Sequence, residues 1–161
     1  MKIKRLQPNT IIYHGTIHDF EPNDLKFPAW FSFDLEQAHN HIAYKYDKNS
    51  EGKILQYKTN IFINLIDISD DGDFHLYINE KGNKALANDI ANGIYGDVMG
   101  YVNYPEQNEI MLCNIMHNNQ NIINYQKTSS VKLFHTVSYR RYGNDWRMKE
   151  NKKQKHCCVI N

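Results

Sequence analysis

A histidine followed directly by a glycine, His14-Gly15, ends a short apolar run at residues 10–13. That run combines β-branched residues with an aromatic residue, which is typical of a buried strand. A histidine at the end of such a strand presents its imidazole at the edge of a sheet. The glycine lets backbone amide and carbonyl groups approach a flat ligand closely. A structural histidine in an ordinary turn is the alternative interpretation of this pair.

Two further segments carry side chains suited to a ligand site. The first is an aromatic strand before a helical pattern: Trp30-Phe31-Ser32-Phe33-Asp34. The second is a loop leading into an apolar strand: Gln107-Asn108-Glu109-Ile110-Met111-Leu112. Aromatic rings hold a flat ligand by stacking, and a carboxylate stabilises positive charge that develops in a transition state. Gln107 lies two residues before Glu109 and therefore on the same face of an extended chain.

In this order the three segments resemble the ADP-ribosyltransferase superfamily, and within it the His-Tyr-Glu branch of diphtheria-toxin-like toxins and poly(ADP-ribose) polymerases. The resemblance covers about residues 10–116. It implies an α+β fold with a split β core of mostly antiparallel strands and a few flanking helices, with NAD in a cleft between the sheet halves. It also implies cleavage of the nicotinamide–ribose bond of NAD through an oxocarbenium-like transition state.

The resemblance implies three catalytic positions, His14, Phe31 and Glu109. His14 would bond a ribose hydroxyl of NAD, and the backbone of the adjacent Gly15 would hold the nicotinamide amide. Phe31 stands where the family has a tyrosine, and with Trp30 it would stack on nicotinamide. Glu109 would place its carboxylate beside the ribose 2′-hydroxyl. The alternative interpretation is that Phe31 and Trp30 are core residues and that Glu109 is a solvated residue at the start of a strand.

Further contacts with NAD are implied at four other positions: Thr16, Ser32, Tyr44 and Gln107. Tyr44 is included because the family's second aromatic position falls on Ile42 in this chain, two residues earlier. In many mono-ADP-ribosyltransferases the position of Gln107 helps to select the acceptor. Glu106 is the neighbouring alternative for the catalytic carboxylate.

We therefore expect an NAD-dependent mono-ADP-ribosyltransferase with a protein acceptor and no metal. An NAD glycohydrolase and a catalytically silent module that binds NAD or ADP-ribose are the alternatives. No arginine occurs between Leu6 and Tyr139, which disfavours the Arg-Ser-Glu branch and the tRNA 2′-phosphotransferase relatives. A polymerase is disfavoured because its long acceptor loops would not fit easily in this length.

Hydrophobic content of 41% and aromatic content of 12% in 161 residues are typical of one folded domain. The net charge is +1, but residues 140–161 carry seven Lys or Arg and two acids, a local +5, which leaves −4 for residues 1–139. Because nucleic-acid binding needs a basic face, we expect no nucleic-acid partner. We expect a domain at residues 1–139 and a basic tail at 140–161; the oligomeric state stays open.

The tail has the form Cys-aliphatic-aliphatic-X at Cys158-Val159-Ile160-Asn161. With Cys157 and the lysines at 152, 153 and 155, it resembles the prenylation tails of small GTPases. Cys158 would be prenylated and Cys157 palmitoylated, and the lysines would bind anionic lipid. An incidental cysteine is the alternative. Without a CxxC pair, a secretion signal or a membrane-spanning run, we expect a cytoplasmic protein, either dissolved or on the cytoplasmic face of a cell or host membrane.

Hydrophobic patterns predict the elements that must position these residues. Strands are expected at residues 10–13, 29–33, 54–57, 61–68, 109–113, 122–125 and 131–139. Helices are expected at residues 35–46 and 74–91, the second interrupted by Gly82. Residues 1–9 are expected to form a basic lead-in, and residues 16–28 and 93–101 are expected to be loops.

Overall fold

One large β-sheet carries most of the structure. The computed structural model describes residues 1–44, 51–102, 109–114, 116–133, 137–142, 145–150 and 158–160. The described strands are β1 (Lys2–Leu6), β2 (Ile11–Thr16), β3 (Ala29–Ser32), β4 (Glu51–Thr59), β5 (Ile63–Asp67), β6 (Gly100–Val102), β7 (Glu109–Leu112), β8 (Met116–His117), β9 (Gln120–Asn121), β10 (Ile123–Leu133), β11 (Val137–Tyr142), β12 (Asp145–Glu150) and β13 (Cys158–Ile160). The described helices are α1 (Leu35–Tyr44), α2 (Gly72–Lys81) and α3 (Asn83–Ala91), with a 3₁₀ turn at Pro22–Asp24.

Nine of the described strands form the main sheet, in the order β1-β5-β6-β7-β3-β2-β4-β10-β13. Neighbours are antiparallel except β5 and β6, whose parallel pairing requires the long crossover that contains α2 and α3. The strand pairs β8–β9 and β11–β12 form separate two-stranded sheets. The predicted α+β class, with a large, mostly antiparallel sheet and few helices, is confirmed.

Alternate residues of each strand build clusters on the two faces of the sheet. On the face that we call the loop face, Ile12, Phe31, Tyr57 and Ile110 lie under side chains of the loop at residues 17–28. On the opposite face, the helix face, α3 packs on β5, β6 and β7, and α1 packs on β4 and β10. Both faces of the central strands are therefore buried, which explains their nearly continuous apolar sequences.

Several sequence predictions need correction. Residues 1–9 contain the edge strand β1, which was missed because its five residues include three cations. The expected helix at 74–91 is two helices, because Gly82 adopts a φ of 85° and donates from its amide to the Ile78 carbonyl. The expected strand at 122–125, apart from its first residue, and residues 131–133 of the next expected strand belong to one strand, β10, which has an irregularity between Tyr125 and Lys127, whereas residues 137–139 begin β11.

The predicted domain boundary at residue 140 falls within β11. Beyond this boundary, the described backbone of β13 pairs with residues 131–133 of β10 and so belongs to the main sheet. None of the helices in the described ranges is both long and apolar enough to cross a lipid bilayer.

A buried acid, Asp67, ends β5 and is 8% exposed. Its Oδ1 accepts hydrogen bonds from the Ser69 hydroxyl at 2.5 Å and from the Ser69 amide at 3.1 Å, and Lys2 Nζ lies 3.3 Å from Oδ2. The hydroxyl bond from Ser69 is the largest cause that lowers the pKa of Asp67, and Lys2 adds to it. These contacts tie the edge strand β1 to the start of the crossover.

The substitution Asp67→Asn should lower the free energy of unfolding at neutral pH by about 1 kcal/mol, because the charged acceptor is replaced by a neutral one. Since folding lowers the pKa of Asp67, its contribution is complete above the ordinary value of 3.8 and is lost as the pH falls through the lower folded-state value. Chemical denaturation from neutral pH down to about pH 3 measures this. The exposed neighbour variant Asp70→Asn is the control, and an equal loss in both variants would contradict the assignment.

Candidate functional site

The neighbouring strands β2 and β3 separate soon after they meet. Among the described residues their register consists of one pair, Tyr13 with Ser32. Continuing that register would place Gly15 opposite Trp30, but this pair is not present in the described ladder. On its other side β2 stays paired with β4 as far as Thr16 with Lys53. Both strands belong to the same nine-stranded sheet, and we call the place where their described pairing consists of a single residue pair the split between β2 and β3.

A cleft of about 500 Å³ lies at this split, within the range of about 300–1,000 Å³ that small-molecule sites occupy. Residues 13–20, 24–26 and 28–30 line it. The end of β2 forms one wall, the start of β3 forms the other, and the loop between these strands closes the side. Four predicted contact residues line this cleft: His14, Gly15, Thr16 and Trp30.

The imidazole of His14 bridges the two walls. Its Nδ1 lies 2.7 Å from the Trp30 carbonyl oxygen. Because a carbonyl only accepts hydrogen bonds, Nδ1 carries the proton and donates, which makes Nε2 the acceptor nitrogen of the neutral ring. Ring contacts fix the imidazole further, with centroids 5.6 Å from Phe31 and 6.3 Å from Phe20. The strand, the opposite wall and the loop thus set the orientation of His14 together.

Gly15 lies where helix α1 is in close contact with β2. A Cβ atom at this position would lie 2.1 Å from the Ala38 carbonyl oxygen and 3.0 Å from the Ile42 side chain. Ile42 itself is fully buried in the cluster under α1. The absence of a side chain at Gly15 therefore has a packing reason in addition to the predicted role of its backbone in the cleft.

The loop between β2 and β3 is anchored on strand β4. The buried Tyr57 hydroxyl donates to the Pro22 carbonyl at 2.7 Å, and burial raises the pKa of Tyr57. Lys53 pairs with Asp19, and the hydrogen bond from Lys53 lowers the pKa of that carboxyl. At the start of the loop, Thr16 Oγ1 accepts from the His18 amide at 3.1 Å. The sequence did not indicate these anchors, because they depend on the register between β2 and β4.

The two aromatic residues predicted to stack on nicotinamide, Phe31 and Trp30, differ in their position relative to the cleft. Phe31 is 1% exposed, and its ring meets that of Tyr57 edge-on at 5.7 Å in the core of the loop face. Trp30 lines the cleft, but its ring meets Tyr101 edge-on at 5.7 Å in the cluster on the helix face. The described structure therefore does not bring the ring of Phe31 to the surface of the cleft.

Glu109 opens β7 in register with Ser32 of β3, which is in turn in register with Tyr13 of β2. Tyr13, Ser32 and Glu109 therefore form a row across three strands. The backbones of Tyr13 and Glu109 are two strand spacings apart, which is about 10 Å. Residues directly opposite one another share a face, so the row belongs to the helix face, whereas His14 and Phe31 belong to the loop face. Glu109 is partly buried and is not among the described residues that line the cleft.

The remaining predicted positions contribute less to the described site. Ser32 is buried and donates from its hydroxyl to the Asp34 carbonyl at 2.8 Å, at the start of α1. Tyr44 is the last residue of α1. Gln107 and Cys157 lie outside the described residues, and Cys158 is the first residue of β13.

Comparisons with known proteins add no relative to this picture. No protein-family model matches the chain, and neither the curated proteins nor the solved structures contain a match. The function must therefore be argued from the residues of the cleft and their surroundings.

The substitution Gly15→Ala should lower the free energy of unfolding by at least about 2 kcal/mol, because the new methyl group meets backbone that cannot move without shifting α1. The matched control is Gly72→Ala, where a Cβ meets nothing within 4 Å and alanine favours the helix. Thermal or chemical denaturation of both variants measures the difference. Equal stability of the two variants would contradict the close packing of α1 on β2.

Proposed function

We propose that this protein is an NAD-dependent mono-ADP-ribosyltransferase that transfers ADP-ribose to a protein. The observation that carries the proposal is His14, held by the Trp30 carbonyl at a cleft where the sheet splits. An imidazole fixed in this way is suited to hydrogen-bond a ribose hydroxyl, and the backbone of Gly15 lines the same cleft. The cleft has the size of a small-molecule site.

The arrangement of the three resembling segments supports the proposal. They are far apart in the chain, but the sheet places them on adjacent strands in the order β2, β3, β7. Such an arrangement allows one extended ligand to reach all three strands. NAD is extended enough to do so, because its two nucleosides are joined by a flexible pyrophosphate.

In the proposed reaction the bond between nicotinamide and the ribose C1′ breaks, and nicotinamide leaves with the bonding electron pair. The acceptor nucleophile then forms a bond to C1′ and loses its proton. Positive charge on the ribose ring is greatest between these events, and a carboxylate beside the 2′-hydroxyl stabilises it most at that point. We assign this role to Glu109. This assignment rests on the resemblance and on the position of Glu109 at the start of β7, in register with Ser32 of β3, because Glu109 is not among the described residues that line the cleft.

A second function is favoured by a specific observation. Glu109 and Phe31 are absent from the described lining of the cleft, whereas His14, Gly15 and Thr16 are present. A site with this composition is suited to hold a nucleotide without cleaving it. The second candidate is therefore a catalytically silent module that binds NAD or ADP-ribose.

The test is NAD turnover by purified protein, followed by nicotinamide release and by ADP-ribose attached to protein. We expect Glu109→Gln to lower the release rate by roughly 100-fold or more, because the lost charge acts mainly in the transition state. Glu80→Gln, which neutralises an exposed acid on α2, is the control and should leave the rate unchanged.

Three other results would each change the conclusion. Binding of NAD without release would favour the silent module. Release without labelled protein would favour NAD hydrolysis over transfer. If the unaltered protein neither binds NAD nor releases nicotinamide, the proposal is overturned.

A further inference from the structure

A site for nicotinamide needs an aromatic face that the ligand can reach. Phe31 is enclosed in the core, and the ring of Trp30 is engaged by Tyr101 on the helix face. Phe31 is therefore not available at the cleft, whereas Trp30 lines the cleft and packs part of its ring on the helix face. A further aromatic residue on the loop side of the cleft would give a flat ring a second surface.

Phe20 lies in the right place. It lines the cleft, its ring centroid is 6.3 Å from that of His14, and the two planes are inclined by 57°. The side chain is partly buried, because one side packs against the core cluster of the loop face.

The loop holds Phe20 between two anchors. Asp19, the residue before it, pairs with Lys53, and Pro22, two residues after it, accepts the hydrogen bond from Tyr57. Both anchoring side chains come from β4, which is itself in the middle of the sheet. A ring held on both sides loses little conformational freedom when a ligand binds, so stacking against it is efficient.

We propose that Phe20 is the aromatic wall on which the nicotinamide ring of NAD stacks, beside His14 and Gly15. This inference rests on the proposed function and adds a specificity-determining residue to it. The nicotinamide ring of NAD is a pyridinium cation, which is attracted to the face of an aromatic ring. ADP-ribose lacks this ring, so Phe20 distinguishes the substrate from the product that remains after nicotinamide has left.

The attraction is stronger in the ground state than in the transition state, because the pyridinium charge disappears as the bond breaks. Loss of Phe20 should therefore raise KM for NAD with little decrease in kcat. Loss of a residue that only supports the fold would instead lower the amount of active protein, which lowers the apparent kcat and leaves KM unchanged.

The experiment compares Phe20→Leu with Phe27→Leu. Phe27 is on the same loop and packs against the same core cluster, but it is not among the described residues that line the cleft, which makes it a matched control. NAD and ADP-ribose are titrated separately by calorimetry, in the Glu109→Gln background so that NAD is not consumed. Phe20→Trp tests whether another aromatic ring restores binding.

We expect Phe20→Leu to weaken NAD binding roughly tenfold and to leave ADP-ribose binding unchanged. Phe20→Trp should bind NAD with nearly the affinity of the protein that has Phe20. Phe27→Leu should affect neither affinity. The assignment would be overturned if Phe20→Leu left NAD binding unchanged, or if it weakened the binding of NAD and ADP-ribose equally. Either result would leave the proposed function unaffected. No binding of either ligand when Phe20 is present would overturn the proposed function and the assignment with it.

Discussion

The hydrogen bond from the His14 imidazole to the Trp30 carbonyl spans the place where β2 and β3 part. A split in a sheet leaves backbone groups without ladder partners, and each such group costs about 1–3 kcal/mol if it is buried and unpaired. Here a side chain satisfies the carbonyl that the neighbouring strand does not reach. The same bond fixes the tautomer and the orientation of His14. The pairing of the Trp30 carbonyl and the proposed binding role of His14 therefore depend on one contact.

The surroundings of this bond preserve the split. Helix α1 packs tightly on Gly15 from the helix face, and the loop anchored by Tyr57 and Lys53 covers the loop face. Movement of either side would break the packing of α1 on Gly15 or the hydrogen bond from Tyr57 to Pro22, so we expect the cleft to be formed before any ligand arrives. A ligand that enters it therefore avoids most of the cost of ordering the site.

Local patterns in the sequence predict the strands that carry His14, Phe31 and Glu109, since each has a clear apolar or aromatic run. They do not predict which face a residue occupies, because a shift of one residue in register reverses every side chain. For this reason the core position of Phe31, the helix-face position of Glu109 and the anchor at Tyr57 follow only from the structure. The sequence did contain a sign of Phe20, an aromatic residue in a polar loop six residues after His14, but the turn residues at 22–24 led to the interpretation of this segment as a simple loop.

Whether the split between β2 and β3 holds a nucleotide can be measured through backbone amide chemical shifts, recorded by NMR during titration with ADP-ribose. We expect saturable shifts that are largest at residues 13–20 and 28–30 and small along α2. Shifts that are absent, or that are concentrated on α2 or β1, would contradict nucleotide binding at the split.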